Sequence, residues 1–552
     1  MKPNSARILL HFLTFIFITL SHSTATQLPS FIHCLSTALP FSTLSHLLHT
    51  PNTSSYSSIL NSSIKNLLFS TSPKPLLILT PSLPSHLQPI IICSKSHNTP
   101  LRFLSGGHDY EGLSYRSLNS HHQPFILLSL SNLHNITIDV NAKQATAWVQ
   151  SGTILGELYY KIAKVSSNFN FNSNNLNLSY GFPAGICPTV AVGGHFSGGG
   201  FGTLLRKYGL AVDNVVDAQI VDVNGEMMDR ESMGEDLFWA IRGGGGASFG
   251  VVVSWKVKLV HVPHLVTVFT IHKTFDQGAV ELVYLWQDIA SRLHEDLFIR
   301  VIIQRNEFGQ VEALFNSLFL GNCEQLLLIM NESFPNLGIK PSDCKQMSWI
   351  ESVMYFAGYT NGEPLETLLV RQSQPERYFK ATSDFVTRPV PKSVWTWIWD
   401  RVKDEGAGVL ILDPFGGKMN QIEGSEIPFP HREGNLYNIQ YFVEWRKIGE
   451  AEKHVNWVKG VFEGMGPYVS KDPRAGYINY RDLDLGVNEE EEGISSYFKG
   501  RVWGVKYFKG NFERLARVKG RVDPSDFFRS EQSIPPLFLE SEEVDGDVIN
   551  SF

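Results

Sequence analysis

The sequence predicts an α+β protein built from two packed lobes. Its 552 residues exceed what one hydrophobic core usually supports, and 43% hydrophobic with 18% charged residues is typical of a globular chain. Short alternating strands separated by glycine-rich loops are predicted over about 76–260. Longer helices mixed with strands are predicted over about 264–480, and no internal repeat at a fixed period is present.

Periodicity predicts the individual elements of the first lobe. Apolar residues alternate over 136–140 and again over 145–149, which predicts two strands. Leu155, Leu158, Tyr159 and Ile162 mark one face of a helix. Alternation over 216–220 leads to Asn224-Gly225, a strong hairpin signal.

Two further segments give weaker patterns. Helical spacing is present around Ile59–Leu68. Four consecutive glutamates at 489–492 are most simply a solvated loop.

The N-terminal residues predict a signal peptide over 1–25. A positively charged start precedes the apolar run Ile8–Leu20, and the small residues Ser23 and Ala25 follow. The run rises only about 20 Å as a helix, which is too short to span a bilayer. The alternative is a short buried helix. Because no later stretch reaches ~18 consecutive apolar residues, we expect a soluble secreted protein without a membrane span.

A secreted location affects how the asparagine sequons and the cysteines are interpreted. We expect surface glycans on some of five acceptor sequons, at Asn52, Asn61, Asn135, Asn177 and Asn331. The oxidising compartment favours pairing of the five cysteines, and the odd count leaves at least one over. The net charge of −7, with no basic stripe, gives no reason to expect nucleic acid.

The strongest local motif is a glycine loop followed by a histidine. Paired glycines let the backbone turn tightly and point successive N–H groups at an anion. A histidine directly after such a loop can reach a ring attached to that anion. The alternative is an ordinary glycine turn with a surface histidine. The motif runs Ser105, Gly106, Gly107, His108, Asp109, Tyr110, Glu111, Gly112.

A second motif begins at Cys187 and continues into six glycines within 193–202. It is not a zinc site, because no second cysteine lies at a C-x-x-C interval. It is not a dinucleotide fingerprint either, because the glycine spacing does not directly follow a strand. The glycine density predicts backbone packed against a flat ligand, while Cys187 alone is equally consistent with a buried inert thiol. The predicted ligand-binding residues here are Gly193, Gly194, His195 and Gly198.

A third glycine run, 242–251, ends with Gly250 and Val251 and is a further candidate for binding an anion. One glycine loop would be weak support for a ligand. Three in one lobe favour a large phosphate-bearing cofactor, and no metal site is predicted.

Together these motifs resemble the berberine bridge enzyme-like family of plant FAD-linked oxidases, within the vanillyl-alcohol-oxidase type of flavoproteins. The resemblance extends from about residue 30 to Pro536, and motifs this long in the same order are highly specific. It includes Trp148–Gly152, Asn479–Gly486 and Phe528–Pro536.

The resemblance implies a two-lobe, PCMH-type FAD-binding fold with a sheet-and-helix substrate domain. The expected organisation after the signal peptide is an N-terminal segment with the FAD-binding domain over 26–263, a substrate-binding domain over 264–489, a segment returning to the FAD domain over 490–540, and a tail over 541–552.

The resemblance also implies an FAD held by two covalent bonds. His108 would bond the flavin 8α-methyl carbon and Cys187 would bond C6. Members of the family commonly pair cysteines equivalent to Cys34 and Cys93. Cys323 and Cys344 are candidates for a second bridge, although sequence alone does not fix connectivity.

Around the substrate face of the flavin, the resemblance places Tyr110, Gln440, Tyr477 and Tyr480. The chemistry it implies is alcohol or hemiacetal oxidation, with Tyr480 as the base, hydride transfer to flavin N5, and reoxidation by dioxygen to hydrogen peroxide. A tyrosine has an ordinary pKa of about 10, so a nearby cation or hydrogen-bond donors must lower it. Any one of these tyrosines taken alone is more often a packed aromatic residue.

Two substitutions in the site depart from the family pattern. Many relatives carry a lysine two residues before Gln440, where this chain has Asn438, and Phe201 stands where many carry a tyrosine. Asn438 can donate a hydrogen bond but brings no charge, so a Tyr480 phenolate would be less stabilised. Both changes could signal a different substrate or reaction.

Two other positions bear on cofactor and acceptor. Leu104 replaces the arginine usual before the first glycine loop, and FAD binding should survive because backbone N–H groups contact the phosphates. Val190 agrees with the small residue that, in relatives, leaves dioxygen a path to the flavin. That agreement favours an oxidase over a dehydrogenase.

Three functions stay open at this point. The first is a monomeric oxidase of the cell wall or apoplast, acting with dioxygen on sugars, oligosaccharides or small phenolic alcohols. The second is a flavoprotein of plant specialised metabolism with oxidative or non-redox cyclase activity. The third is a secreted binding or structural protein that keeps the fold without turnover.

Overall fold

The computed structural model describes residues 28–117, 124–140, 143–173, 178–371 and 377–538. The predicted signal peptide, the sequon Asn177 and the predicted tail over 541–552 lie outside these ranges. The chain forms two lobes of mixed helix and sheet, which confirms the predicted α+β class. Within the described ranges, no helix combines the length and the apolar character needed to cross a membrane.

The N-terminal part of the first lobe is a four-stranded sheet covered by helices. Its strands are β1 (Leu48–His49), β2 (Leu77–Leu79), β3 (Leu101–Leu104) and β4 (Ile126–Ser129), in the spatial order β1-β2-β4-β3. Its helices are α1 (28–38), α2 (Phe41–Leu47), α3 (Ser54–Ser63) and α4 (Leu87–Ser96). Phe31 and Ile90 share one core with the sheet, and the Cys34–Cys93 disulfide joins α1 to α4, as the resemblance implies.

A five-stranded antiparallel sheet completes the first lobe. Its strands are β5 (Ile136–Asp139), β6 (Thr146–Gln150), β8 (Val215–Val221), β9 (Met227–Met228) and β10 (Val251–Lys258), in the order β5-β6-β10-β8-β9. Strands β7 (Leu178–Gly181) and β11 (Val260–Pro263) form a separate pair. The helices are α5 (Leu155–Ser173), α6 (Val192–Ser197), α7 (Leu205–Tyr208) and α8 (Arg230–Ile241). The two predicted strands, the buried face of α5 and the β8–β9 hairpin are all confirmed.

The second lobe is a seven-stranded antiparallel sheet packed against helices. Its strands are β12 (Val266–Thr274), β13 (Leu297–Arg305), β14 (Val311–Phe319), β15 (Lys345–Met347), β16 (Tyr378–Val386), β17 (Val409–Pro414) and β18 (Tyr437–Trp445), in the order β15-β12-β14-β13-β17-β18-β16. Its helices are α9 (Ala279–Ile289), α10 (Cys323–Ser333), α11 (Trp349–Phe356), α12 (Lys392–Arg401) and α13 (Ala451–Met465). Buried tryptophans of α9, α12 and α13 share the core with the sheet. The second candidate disulfide, Cys323–Cys344, is present at the start of α10.

The C-terminal segment packs back onto the first lobe. It comprises β19 (Glu490–Glu491), β20 (Ile494–Ser495), α14 (Tyr497–Phe508) and α15 (Asn511–Val522). Trp503 and Leu515 share one core with Ala218 and Ile241, so two segments that are far apart in sequence bury common apolar surface.

Three local predictions need correction. The glutamate run is exposed as expected, but it pairs in a short hairpin because Glu492 and Gly493 both adopt positive φ, as a two-residue hairpin turn requires. The helical spacing at 59–68 does not mark one helix. Helix α3 ends at Ser63. Asn66 lies in extended backbone, and its side chain is hydrogen-bonded to the backbone of Phe379 in the second lobe. The second glycine run is not wholly a loop, because α6 occupies its first part.

Candidate active site

All three glycine runs line a single cavity of about 590 Å³. Ligand pockets commonly measure roughly 300–1,000 Å³, so the cavity can hold a cofactor-sized molecule. Every predicted cofactor residue lies on its wall: Ser105, Gly106, Gly107, His108, Asp109, Cys187, Gly193, Gly194, His195, Gly198, Gly250 and Val251.

Glycine is required in this wall for two different reasons. Gly107 has a φ of +73°, and a Cβ there would lie 2.6 Å from the carbonyl oxygen of Ser63. Gly194 has open space instead, with nothing within 4 Å of an added Cβ, and it lines the cavity. A side chain at Gly194 would therefore extend into cavity space. Backbone packed tightly on one side and left bare on the other fits a flat, phosphate-bearing ligand such as FAD.

A single hydroxyl contacts both residues predicted to attach the flavin. The Thr189 Oγ1 lies 3.0 Å from His108 Nε2 and 3.5 Å from Cys187 Sγ. Cys187 takes part in neither disulfide. Two side chains that lie far apart in sequence thus lie side by side on the cavity wall.

The histidine at this position is electrically neutral. Burial, assisted by the positive charge of Lys65, lowers the pKa of His108 to about 3. Lys65 itself lines the cavity. At physiological pH the imidazole therefore keeps one nitrogen lone pair unprotonated.

His195 and Asp109 have their polar atoms turned toward protein groups. The His195 Nε2 accepts a hydrogen bond of 3.0 Å from the N–H of Gly185, which lies two residues before Cys187. The Asp109 carboxylate pairs with Arg481 Nε at 2.9 Å. Both side chains line the cavity, and both hold the loops that form it.

Two tyrosines from distant segments of the chain stack on the cavity wall. The rings of Tyr110 and Tyr480 are parallel within 1°, with centroids 5.7 Å apart. Gln440, on β18, donates a hydrogen bond of 2.6 Å from Nε2 to the Tyr110 hydroxyl. This hydrogen bond crosses from the second lobe to the first.

Tyr477 contacts the second glycine run. Its hydroxyl accepts the Gly200 N–H at 3.0 Å and an Asn479 Nδ2–H at 2.9 Å. Its ring lies 4.9 Å from that of Phe201 between centroids. Tyr477 lines the cavity, but its oxygen is committed to the loop.

The tyrosines of the site are protonated at neutral pH. Burial raises the pKa of Tyr110, Tyr477 and Tyr480 above the ordinary value. For Tyr480, the negative charge of Asp413 raises the pKa further, and the positive charge of Arg300 opposes this rise. The predicted base is therefore a neutral phenol in the resting site.

Asn438, predicted as a site residue, does not line the cavity. Its side chain is fully buried, and Nδ2 donates to the Asp384 carbonyl at 2.9 Å. A cation that does line the cavity is Arg300 of β13, whose Nε donates to Asp413 Oδ1 at 2.9 Å.

Sequence reasoning missed several side chains that line the site. Thr189 could have been identified from sequence, because it follows Cys187 by two residues in the same motif. Arg300 and Arg377 gave no local signal, because each is a single basic residue in or beside a strand. The others are the aromatic residues Phe379 and Phe442, whose centroids are 5.6 Å apart, together with Lys65 and Ile411.

The fold and cavity define a protein built to bind a flavin dinucleotide. A family model described as an FAD binding domain matches residues 75–230. A second, described as berberine and berberine like, matches residues 476–535. The first match covers the first two glycine runs, and the second covers the segment that carries Tyr477 and Tyr480.

Whole-chain relatives define the family. The chain is 50% identical over 551 residues to berberine bridge enzyme-like 22 of Arabidopsis thaliana, covering 96% of this chain and 100% of that protein. It is 47% identical to a tetrahydroberberine oxidase of Argemone mexicana, covering 99% of each. The chain belongs to the berberine bridge enzyme-like family and is an FAD-dependent oxidoreductase.

A solved structure matches the whole fold. Phl p 4, a grass pollen allergen with glucose dehydrogenase activity, aligns with a TM-score of 0.86 at 46% identity, covering 92% of this chain and 100% of that one. An isoleucine-to-valine variant of Phl p 4 is a glucose oxidase.

Proposed function

We propose that the protein is a secreted oxidase whose FAD is bonded covalently to His108 and Cys187. It takes a hydride from an alcohol, carbohydrate or phenolic alcohol, and dioxygen is the final acceptor and leaves as hydrogen peroxide. Bound FAD supplies the hydride-accepting ring. The observation that carries the proposal is one cavity lined both by the His108–Thr189–Cys187 contact and by the Tyr110–Tyr480 stack.

The state of the attachment residues supports two covalent bonds. Burial keeps His108 neutral, which leaves a nitrogen lone pair for bond formation. Thr189 is hydrogen-bonded to Nε2 of His108, so Nδ1 is the ring nitrogen that can bond a ligand. The thiol of Cys187 lies beside the same hydroxyl and faces the same cavity.

Features of the described surface support secretion. Two disulfides are typical of proteins that fold in an oxidising compartment. Asn52, Asn61, Asn135 and Asn331, the sequon asparagines inside the described ranges, are exposed. We therefore propose N-glycans at some of these four positions.

Val190 supports dioxygen as the acceptor. It lines the cavity two residues before α6, the helix that contains Gly194. A valine leaves more space than an isoleucine, and in Phl p 4 that exchange accompanies the change from dehydrogenase to oxidase.

The proton of an alcohol substrate must leave as the hydride is transferred, and Tyr480 is the proposed acceptor. Its raised pKa opposes this role, and Arg300 is the charge that counteracts the rise. Gln440 holds the neighbouring Tyr110 hydroxyl in one position by a hydrogen bond, so the substrate contacts polar groups whose orientation is fixed. Alcohol oxidation should therefore become faster as the pH rises toward the pKa of Tyr480.

A second candidate substrate is a cyclic tertiary amine carried on an aromatic ring system. Its nitrogen lone pair assists loss of hydride from the adjacent carbon, and the iminium product forms without a base. The neutral tyrosines and the uncharged Asn438 favour such a substrate. The aromatic residues Phe379 and Phe442 offer flat apolar contact, and tetrahydroberberine oxidases are among the relatives.

One experiment separates the two candidates. The purified holoenzyme is mixed anaerobically with simple sugars, oligosaccharides, phenolic alcohols and cyclic tertiary amines while flavin absorbance is followed. Air is then admitted and peroxide is measured. Bleaching by an alcohol supports the first candidate, and bleaching by amines alone supports the second. Bleaching without peroxide on reoxidation overturns the oxidase proposal, and no bleaching by any compound overturns both substrate proposals.

A further inference from the structure

A buried ionic cluster connects the chain segments on either side of the stacked tyrosines. Asp109 and Glu111 flank Tyr110, and Arg481 and Asp482 follow Tyr480. The two segments are held together by the charged neighbours as well as by the tyrosine rings themselves.

Lys380, on β16 of the second lobe, is the centre of this cluster. Its Nζ lies 2.6 Å from Glu111 Oε1 and 2.6 Å from Asp482 Oδ1. A third carboxylate, that of Asp484, lies 3.5 Å away. One ammonium group thus joins the residue after Tyr110 to the second residue after Tyr480.

The cluster is shielded from solvent. The side chains of Lys380, Glu111 and Asp482 are 13%, 8% and 4% exposed. Burial alone would lower the pKa of Lys380, but the charges of Glu111, Asp482 and Asp484 outweigh it and raise the pKa. Removing one partner of a buried ion pair leaves an uncompensated charge, which is strongly destabilising locally.

Without the ammonium, the same carboxylates would separate the segments. Arg116 would still pair with Glu111, but Asp482 would lose the ammonium group that it shares with Glu111. The two carboxylates both approach one point, and like charges at that spacing repel in a medium of low dielectric constant. The Asp109–Arg481 pair would then be the remaining direct ion pair between the two segments among the described residues. A single pair fixes a distance but not the rotation about it.

We propose that Lys380 is a positioning residue that fixes the spacing and parallel orientation of Tyr110 and Tyr480 through Glu111 and Asp482. It does not contact the substrate. Its effect reaches the reaction through the two tyrosines, so its consequence for turnover rests on the proposed function. Its effect on tyrosine geometry does not.

The test compares Lys380→Met, Lys380→Arg and Lys453→Met in the holoenzyme. Lys453→Met is the matched control, because it removes a lysine from the same lobe whose ion pair with Glu405 is exposed. Each variant is crystallised for the Tyr110–Tyr480 geometry, and the anaerobic reduction rate constant and substrate affinity are measured separately with a substrate that reduces the wild type.

Lys380→Met should lose the parallel stack and reduce at least about tenfold more slowly, with substrate affinity changed less than about threefold. Lys380→Arg should recover most of the rate, and Lys453→Met should match the wild type in both measurements. A Lys380→Met enzyme with an unchanged stack and a rate within twofold of wild type would overturn the proposal.

Two further arms keep the test decisive. If Lys380→Met does not fold, the double variant Lys380→Met, Asp482→Asn removes the repulsion, and Glu111 keeps its ion pair with Arg116. Its rings should still lose their parallel orientation, because no ammonium group joins the two segments. If no substrate reduces the wild type, the proposed function fails, and the ring geometry alone still decides the role of Lys380.

Discussion

The cavity wall has two parts that are built differently. In the attachment part, His108, Cys187 and the glycine runs come from contiguous motifs of the first lobe, and much of the wall is bare backbone. In the reaction part, side chains from several distant segments of both lobes meet, held by ring stacking, one cross-lobe hydrogen bond and buried ion pairs. Backbone holds the proposed cofactor, whereas side-chain packing holds the reacting groups. Substitutions should therefore affect FAD loading in the attachment part and the reaction rate in the reaction part.

The largest effect is expected from Tyr480→Phe. Loss of the proposed proton acceptor should slow alcohol oxidation by about 10²–10⁴-fold, the usual range for a general base. Flavin content should be unchanged, because the hydroxyl belongs to neither attachment residue and the ring is kept. The measurement is anaerobic flavin reduction, with the exposed Tyr468→Phe as the control.

Amine oxidation gives the opposite expectation for the same variant. A substrate that needs no base should be oxidised by Tyr480→Phe within about threefold of the wild-type rate. Equal losses for alcohols and amines would contradict the role assigned to Tyr480.

Gly194→Leu tests the attachment part of the wall. The added side chain meets no protein atom within reach of its Cβ and extends into the cavity. The protein should fold, but the fraction loaded with FAD should fall at least about tenfold, because the ligand has to lie against bare backbone. The readout is the ratio of flavin to protein absorbance.

The matched control for that variant is Gly460→Leu. Gly460 also has nothing within 4 Å of an added Cβ, and it lies in a helix, but it is exposed on α13. Normal loading of Gly194→Leu would mean that the cofactor does not lie where the glycine runs indicate.

Arg300→Met should shift the pH dependence of alcohol oxidation. The phenolate form of Tyr480 is the active one, so the rate rises as the pH approaches its pKa from below. Removing the cation that lowers this pKa moves the profile to higher pH, and the rate near neutrality should fall about tenfold, or roughly 1.4 kcal/mol. Arg300→Lys keeps the charge and should keep the profile near that of the wild type. An unshifted profile in Arg300→Met would remove Arg300 from the account.

The smallest effect is expected from Thr189→Val. The substitution removes the hydroxyl that contacts both attachment residues but nearly preserves the volume. The protein should load FAD, and formation of the covalent bonds should be slower by a few-fold. The time course of flavin that stays bound after acid denaturation measures this. A wild-type time course would show that the hydroxyl does not orient His108.

The contrast between the two parts also explains what could be predicted from sequence. Strands β5, β6 and β8, the hairpin at Asn224-Gly225 and the glycine-rich cofactor wall followed from local periodicity and glycine spacing. These signals are local because φ angles and the absence of a Cβ act within a few residues. The Cys34–Cys93 bridge implied by the resemblance is present, and so is the candidate bridge Cys323–Cys344, whose connectivity the sequence left open.

The reaction part of the wall could be predicted only incompletely. Tyr110, Gln440, Tyr477 and Tyr480 came from the resemblance, and the structure brings all four to the cavity. Arg300 could not be found, because its role depends on the pairing of β13 with β17 across the sheet. Asn438 lies two residues before Gln440 on β18, so the two side chains share a face of the strand. Asn438 is nevertheless buried in contact with Asp384 and does not line the cavity.

The central claim is that one flavin is bonded to both His108 and Cys187. The most direct measurement is mass spectrometry of the acid-denatured protein followed by peptide mapping. We predict an intact mass that includes FAD, and a cross-linked species in which one flavin joins the peptide containing His108 to the peptide containing Cys187. Flavin released by acid, or bonded to any other side chain, would contradict the account.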